Sequence, residues 1–181
     1  MHDIEGKQDI DNVYIYGIDS EMERYGEKYA DLVLDEYNRL VKQYEKVYIR
    51  IEKLVDCSEY AENCMGSPDV FMFGGDELII IDYKYGKVDV KIENNSQLMI
   101  YALGVISTFQ EFANEINIIK MIIYQPREGE IKATTISKTD LICWGNEVLR
   151  PAADAIYRNF KVENAGEWCE YCKGKEYCRE H

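Results

Sequence analysis

The clearest periodicity begins at Ser20, after which Tyr25, Tyr29, Leu32, Val33, Tyr37, Leu40, Val41 and Tyr44 recur at three- and four-residue spacing, predicting one long amphipathic helix. Ser20 and Glu23 have the form of a capping box at its start. At Val47 the period drops to two: Val47, Ile49, Ile51 and Val55 lie on one side and Arg50 and Glu52 on the other, which predicts a strand over 47–55. Pro68–Phe73 and Leu78–Tyr85 predict two further strands, joined by a hairpin at Gly74-Gly75-Asp76, where glycine permits positive φ. Asn95 or Ser96 can cap a helix whose Leu98, Tyr101, Ala102, Val105, Phe109 and Phe112 form an apolar stripe. Ile116–Gln125 is nearly continuous in Ile, Met and Tyr, as in a strand buried on both faces, and Pro126 to Glu130 turns the chain so that Ile131–Ile136 pairs back. Ser137 with Asp140 offers a second capping box for a helix through Leu149, and Pro151 predicts a kink or restart before Phe160. Asn164-Ala165-Gly166 then leads into a tail.

The order α-β-β-β-α-β-β-α predicts an α/β fold with a central mixed sheet flanked by helices, a meander first and a crossover helix afterwards. Residues 1–19 read as a lead, 20–160 as one domain and 161–181 as a Cys-rich tail packed on that domain. The 181-residue length suits a single core, and 46% hydrophobic beside 30% charged residues excludes wholesale disorder. No apolar run approaches the roughly 18 residues that span a bilayer, and Met1–Asp11 is short and acidic rather than signal-like, so a cytoplasmic setting away from membranes is expected. Charge narrows the chemistry further. With 34 acidic and 21 basic side chains the net charge is −13, which argues against broad adhesion to nucleic acid by charge alone; such contact must be local, metal-assisted or helped by a partner.

Within that frame, Asp69 opens one strand of the hairpin and Asp82 lies near the end of its partner, so the two carboxylates can approach. Lys84, two residues past Asp82, shares its sheet face. An Asp-x-Lys pair alone is common as a half-exposed ion pair worth about 0–1 kcal/mol. Two carboxylates beside an ammonium are also what phosphodiester hydrolysis requires: hard oxygen ligands for Mg²⁺ or Mn²⁺, and positive charge for the crowded phosphate. Asp69 and Asp82 are the expected metal ligands, with the Tyr83 backbone carbonyl as a third oxygen and Glu52 as the preferred extra carboxylate. Glu21, Glu23, Glu27 and Glu36 on the first helix cannot be ranked, and His2 lies too early in the chain to assign. Tyr83 and Tyr85 with Lys84, Lys87 and Lys91 form a short aromatic and basic stretch, in which Tyr85, Lys87 and Lys91 are the expected DNA contacts, although a solvated loop reads the same way. Most of the fifteen tyrosines sit at core positions and serve packing first.

Gly66-Ser67-Pro68-Asp69, the hairpin, Ile79-Ile80-Ile81-Asp82-Tyr83-Lys84-Tyr85-Gly86, and then Gln97 and Tyr101 on one helix face together resemble the PD-(D/E)xK nuclease superfamily. The RecB-like exonucleases and their phage and prophage relatives, which carry a Gln-x-x-x-Tyr signature, are the nearest in pattern. The similarity runs from about Ser20 to the C-terminus, including 148–153 and 166–172. It implies a restriction-endonuclease-like core and a Mg²⁺- or Mn²⁺-dependent deoxyribonuclease, most simply an exonuclease on single strands or ends, working with recombination or replication proteins of a bacterial or phage system. Asp69, Asp82, Lys84, Gln97 and Tyr101 would be its catalytic set. A catalytically incomplete nuclease-fold module that binds DNA or a partner protein is the alternative, and an acidic DNA mimic or assembly protein on the same scaffold is a third class.

Cys169, Cys172 and Cys178 follow Cys-x₂-Cys-x₅-Cys, a spacing that can place sulfurs around one metal. In RecB-like relatives such a trio joins a distant fourth cysteine around a [4Fe–4S] cluster. Cys57 or Cys64 could supply that fourth ligand here, since no cysteine precedes the long helix. Zn²⁺ held with His181, and plain reduced thiols, are the other readings of the same residues. Cys143, beside Trp144, is expected as a small buried hydrophobe.

Overall fold

A computed structural model describes residues 7–10, 13–16, 19–158 and 165–179. His2, Phe160, Asn164 and His181 lie outside the described residues. Within the lead, β1 (Lys7–Ile10) and β2 (Val13–Tyr16) pair as an antiparallel ribbon, with Ile10 opposite Val13, an element that the hydrophobic pattern did not predict.

α1 (Ser20–Gln43) is the long helix, but its cap is Asp19 rather than Ser20. The Asp19 carboxylate accepts the Met22 N–H at 2.8 Å, and Glu21 and Glu23 then place negative charge where the first turn leaves amides unpaired. The helix lays Tyr29, Leu32, Val33, Tyr37 and Leu40 over one face of the sheet, against Val70, Met72, Ile79, Ile81 and Ile122. Two polar clamps fix its rotation. Arg39 makes a two-pronged contact with Glu77 at 2.9 and 2.7 Å, and Lys120 reaches Glu36 at 2.6 Å.

The sheet begins with β3 (Val47–Ile51). The single strand expected over 47–55 is broken at Glu52, whose φ of +46° takes the chain out of the pleat. Val55 therefore enters a separate ribbon, β4 (Val55–Asp56) with β5 (Met65–Gly66), and is buried in the opposite core from Val47 and Ile49, while Ile51 is exposed. β6 (Val70–Gly74) and β7 (Glu77–Tyr83) form the expected hairpin, Gly74 facing Glu77 across Gly75-Asp76. Gly75 has φ +56°, and any Cβ there would strike the ring of Tyr44, whose hydroxyl donates to Asp76 Oδ1 at 2.6 Å.

α2 (Ser96–Thr108) is capped by Asn95, which accepts the Leu98 N–H at 3.2 Å, and a short α3 (Gln110–Ala113) follows. α2 crosses the other face of the sheet and buries Leu98, Met99, Ala102, Leu103, Val105 and Ile106. β8 (Ile118–Gln125) then runs parallel to β7, and β9 (Glu130–Ser137) returns antiparallel after a 3₁₀ turn at Pro126–Glu128. The order is β3-β6-β7-β8-β9, a mixed five-stranded sheet with helices on both faces, as expected of an α/β fold with a central mixed sheet.

α4 (Lys138–Trp144) starts at Ser137 as anticipated, the Ser137 hydroxyl accepting the Asp140 N–H at 3.0 Å. It leads through a π turn at Gly145–Leu149 into α5 (Arg150–Tyr157). The Arg150 N–H bonds back to Gly145, five residues earlier, so the wider turn admits Pro151 without a stop. Cys143 is exposed on α4, against expectation: Leu141, two positions away, takes the buried side of the helix.

Candidate active site at the carboxyl end of β7

Strand alternation builds the site. Ile79 and Ile81 of β7 face α1, whereas Leu78 and Ile80 face α2, so Asp82 and Lys84 project toward α2. The β6–β7 register pairs Val70 with Ile81, and its next step sets Asp69 beside Asp82. Asp69 is anchored from the backbone, its Oδ2 accepting the Tyr83 N–H at 2.7 Å. N–H and C=O of an extended residue leave from the same strand edge, so the Tyr83 carbonyl faces Asp69 as well.

Asp82 is 3% exposed, a depth at which a carboxylate is seldom found without compensation. Lys84 Nζ lies 2.7 Å from its Oδ2, an ion pair that offsets part of the cost of that burial. The same ammonium donates to Gln97 Oε1 at 2.9 Å, and Gln97 Nε2 donates to the Tyr101 hydroxyl at 2.9 Å. A continuous polar run thus leads from Asp82 through Lys84 and Gln97 to Tyr101. Burial raises the proton affinity of Asp82 above the ordinary carboxyl range; Lys84 opposes this and the neighbouring Asp69 charge adds to it.

Two supporting residues have no motif to mark them. Gly66 is the strand residue against which Tyr101 rests: a Cβ there would sit 2.7 Å from Tyr101 Cε1, so the glycine makes room for the ring whose hydroxyl holds Gln97. Tyr29, counted in sequence as part of the packing stripe, reaches the Ile81 carbonyl beside Asp82 with its hydroxyl at 3.5 Å; its phenol is held strongly toward the protonated form by burial first and by the Asp69 and Asp82 charges second. Pairwise spacing in sequence could not have linked either to the site, because both contacts cross between elements.

Other expected members stay apart. Glu52 continues the same cross-sheet row, donating its N–H to the Asp69 carbonyl at 2.9 Å, but its side chain is exposed where the backbone leaves the pleat. Glu36 is committed to Arg39 and Lys120, Glu21 faces Arg127, and Glu23 and Glu27 are exposed. Alternation also divides the aromatic and basic stretch. Tyr83 packs against Tyr29 and Tyr124 on the α1 side, away from Lys84, while Lys87 and Lys91 are exposed on the connection beyond. Two concavities of about 340 Å³ lie elsewhere, one beside Asp89, Lys91 and Lys132 and one beside Tyr25 and Tyr124. Asp82 lines neither; the candidate site is an open row at the strand ends, and the chemistry of its side chains rather than concavity singles it out.

Among the described residues no three His, Cys, Asp or Glu side chains come together as a metal-holding group. Cys169 and Cys172 sit about a 3₁₀ turn at Glu167–Tyr171, the Cys169 sulfur accepting the Gly166 N–H at 3.3 Å, and Cys178 follows a second such turn. Cys57 and Cys64 face one another across the end of the β4–β5 ribbon, N–H to carbonyl 2.8 Å, and burial followed by Cys64 pushes the Cys57 thiol up to about 12. The cysteines as arranged therefore do not fit a cluster or a zinc ion. The acids fit better: Asp82 is a buried carboxylate, Asp69 stands beside it, and both are the hard ligands that Mg²⁺ and Mn²⁺ prefer.

Residues 7–181 match the family described as Protein of unknown function (DUF2800). The chain belongs to that family. One solved structure similar to this DUF2800 chain is the crystal structure of SSO0001, 14% identical with a TM-score of 0.41, over 87% of this chain and 79% of that one.

Proposed function

We propose that the chain is a divalent-metal-dependent deoxyribonuclease, most simply an exonuclease acting on single strands or ends, in bacterial or phage DNA recombination, replication or repair. The observation that carries this reading is the Asp82–Lys84–Gln97–Tyr101 run with Asp69 braced beside it on the Tyr83 N–H. Asp69, Asp82 and the Tyr83 carbonyl would hold Mg²⁺ or Mn²⁺. When bound, the ion supplies Lewis-acid polarisation of the phosphodiester and a water of lowered pKa. The chain's own residues do the positioning. Lys84 offers its ammonium to charge developing on the phosphate, and Gln97 keeps that ammonium from collapsing onto Asp82 alone. Tyr101, seated on Gly66, fixes which way the Gln97 amide points.

A cytoplasmic setting belongs to the same reading; no described helix is long and apolar enough to cross a membrane. The second reading, a nuclease-fold module that binds DNA or a partner protein without cutting, is favoured by the exposed side chain of Glu52, which leaves the acid pair without its expected third carboxylate. Labelled linear DNA incubated with Mn²⁺ separates the two. The nuclease reading expects degradation by the parent protein and none above background by Asp82→Ala; equal degradation by both, or by neither, contradicts it.

A further inference from the structure

On the α1 side of the same strand ends, residues remote in sequence form a corner that the nuclease motif does not use. The Arg127 guanidinium lies 3.9 Å from the Tyr85 ring centroid, and its Nη2 donates to the Tyr85 hydroxyl at 2.9 Å. Its Nε reaches Glu21 Oε1 at 3.2 Å, so a carboxylate from the first turn of α1 occupies the anion side of the guanidinium. Tyr25 meets Tyr85 edge-on at 6.4 Å, and Tyr83 stacks on it at 6.2 Å. Beside this cluster opens the concavity of about 340 Å³ walled by Tyr25, Tyr124 and Pro126, with Lys28, Asp31 and Asp35 at its margin.

Aromatic faces beside an arginine are the ordinary means of holding single-stranded nucleic acid, because every base has a π-face and every linkage a phosphate. Asp31 and Asp35 outnumber Lys28 at the margin and disfavour phosphate itself, which leaves the concavity to a base. Arg127 is the cation of the corner, and its partner Glu21 is a carboxylate standing where a phosphate oxygen would stand. The pair is partly exposed, its side chains 30% and 45% accessible, so the exchange needs no unfolding. Tyr85 directly follows Lys84, so the corner and the candidate active site are the two sides of one strand end.

We infer that this corner binds one nucleotide of a single DNA strand, its base in the Tyr25–Tyr124 concavity and its phosphate on Arg127 in place of Glu21. The inference rests on the nuclease reading for its substrate and names single-stranded DNA as the form taken. Duplex DNA keeps its bases paired and stacked and cannot fill the concavity. Glu21 is then a built-in competitor: it holds Arg127 in the free protein and lowers affinity for every strand whose phosphate must displace it.

Binding of a fluorescein-labelled oligo-dT, and of a hairpin duplex of equal length, is read by anisotropy in EDTA, where no cutting occurs. Arg127→Ala should weaken oligo-dT binding about tenfold and reduce the salt slope by about one, with little effect on the duplex. Glu21→Gln should tighten oligo-dT binding about threefold or more, a gain that misfolding cannot produce, whereas Glu23→Gln, the same charge change two residues on in the same first turn, should not. The inference is overturned if Glu21→Gln binds no tighter than Glu23→Gln, if Arg127→Ala keeps the parent affinity and slope, or if the parent binds no oligo-dT. Cleavage assayed on the same preparations in Mn²⁺ separates the two claims. The binding signature without cutting refutes the nuclease reading alone, and cutting without the signature refutes the corner alone.

Discussion

At the end of β7, Asp69, Asp82, Lys84, Gln97 and Tyr101 come from a hairpin and a helix; Asp82 pairs with Lys84 at 2.7 Å, hydrogen bonds of 2.9 Å run on from Lys84 to Gln97 and Tyr101, and Asp69 is fixed beside them on the Tyr83 N–H at 2.7 Å. In segment 165–179 the three cysteines are much closer together in sequence and do not gather. The first set stands on strands whose neighbours Leu78, Ile80, Phe71 and Leu98 are fully buried, so each backbone direction is settled by the core before the polar groups meet. The tail rests on two 3₁₀ turns closed by three-residue backbone bonds, such as Cys169 N–H to Gly166 at 2.9 Å and Cys172 N–H to Cys169 at 3.2 Å, with Trp168 largely exposed. Spacing alone places side chains in register only where a packed element sets the pitch.

This contrast can be broken at graded strengths. Lys84→Ala should lower Mn²⁺-dependent cleavage by on the order of 10²–10³-fold, since it removes the cation meant for the phosphate while leaving the fold intact. Gln97→Ala, which acts by holding Lys84, should cost about 10–100-fold, with kcat carrying the loss rather than KM. Gly66→Ala should destabilise by about 1–3 kcal/mol in urea titrations, because the new methyl meets the Tyr101 ring at 2.7 Å.

Asp82→Asn reads the buried charge. The folded-state proton affinity of Asp82 is raised, chiefly by burial, so between the ordinary carboxyl pKa of about 3.9 and its higher folded value the native state holds the proton better than the unfolded chain. The parent therefore loses stability as pH rises through that window. Asp82→Asn should be the more stable protein at neutral pH and lose its advantage as pH falls below the window, measured as urea midpoints; a pH-independent difference would contradict the assignment. The smallest effect is expected at the tail, where Cys169→Ser should leave cleavage within about twofold of the parent. A larger loss accompanied by loss of bound iron or zinc would mean that the thiolates assemble, and the contrast would fail.

Much of this was legible in the chain. Long periodicities gave α1 and the central strands, and the two-residue step from Asp82 to Lys84 and the four-residue step from Gln97 to Tyr101 placed each pair on one face. What escaped was set by single backbone angles and by contacts between remote segments. Val47, Ile49, Ile51 and Val55 fall on one side of a single strand on paper, but the left-handed turn at Glu52 sends Val55 to the other core. Asp19, which accepts from Met22, outcompetes Ser20 as the cap although both residue types suit the position. Tyr83 and Tyr85 were grouped with Lys84 by proximity, whereas alternation puts them against α1 and so creates the corner with Arg127 that no local pattern could have announced.

The central claim is that Asp69 and Asp82 form a divalent cation site beside Lys84. Crystals soaked in Mn²⁺ and measured for anomalous scattering test it most directly. The account predicts one manganese peak within coordinating distance of both carboxylates, lost in Asp82→Asn; no peak there at saturating Mn²⁺, or a peak unaffected by that substitution, would contradict it.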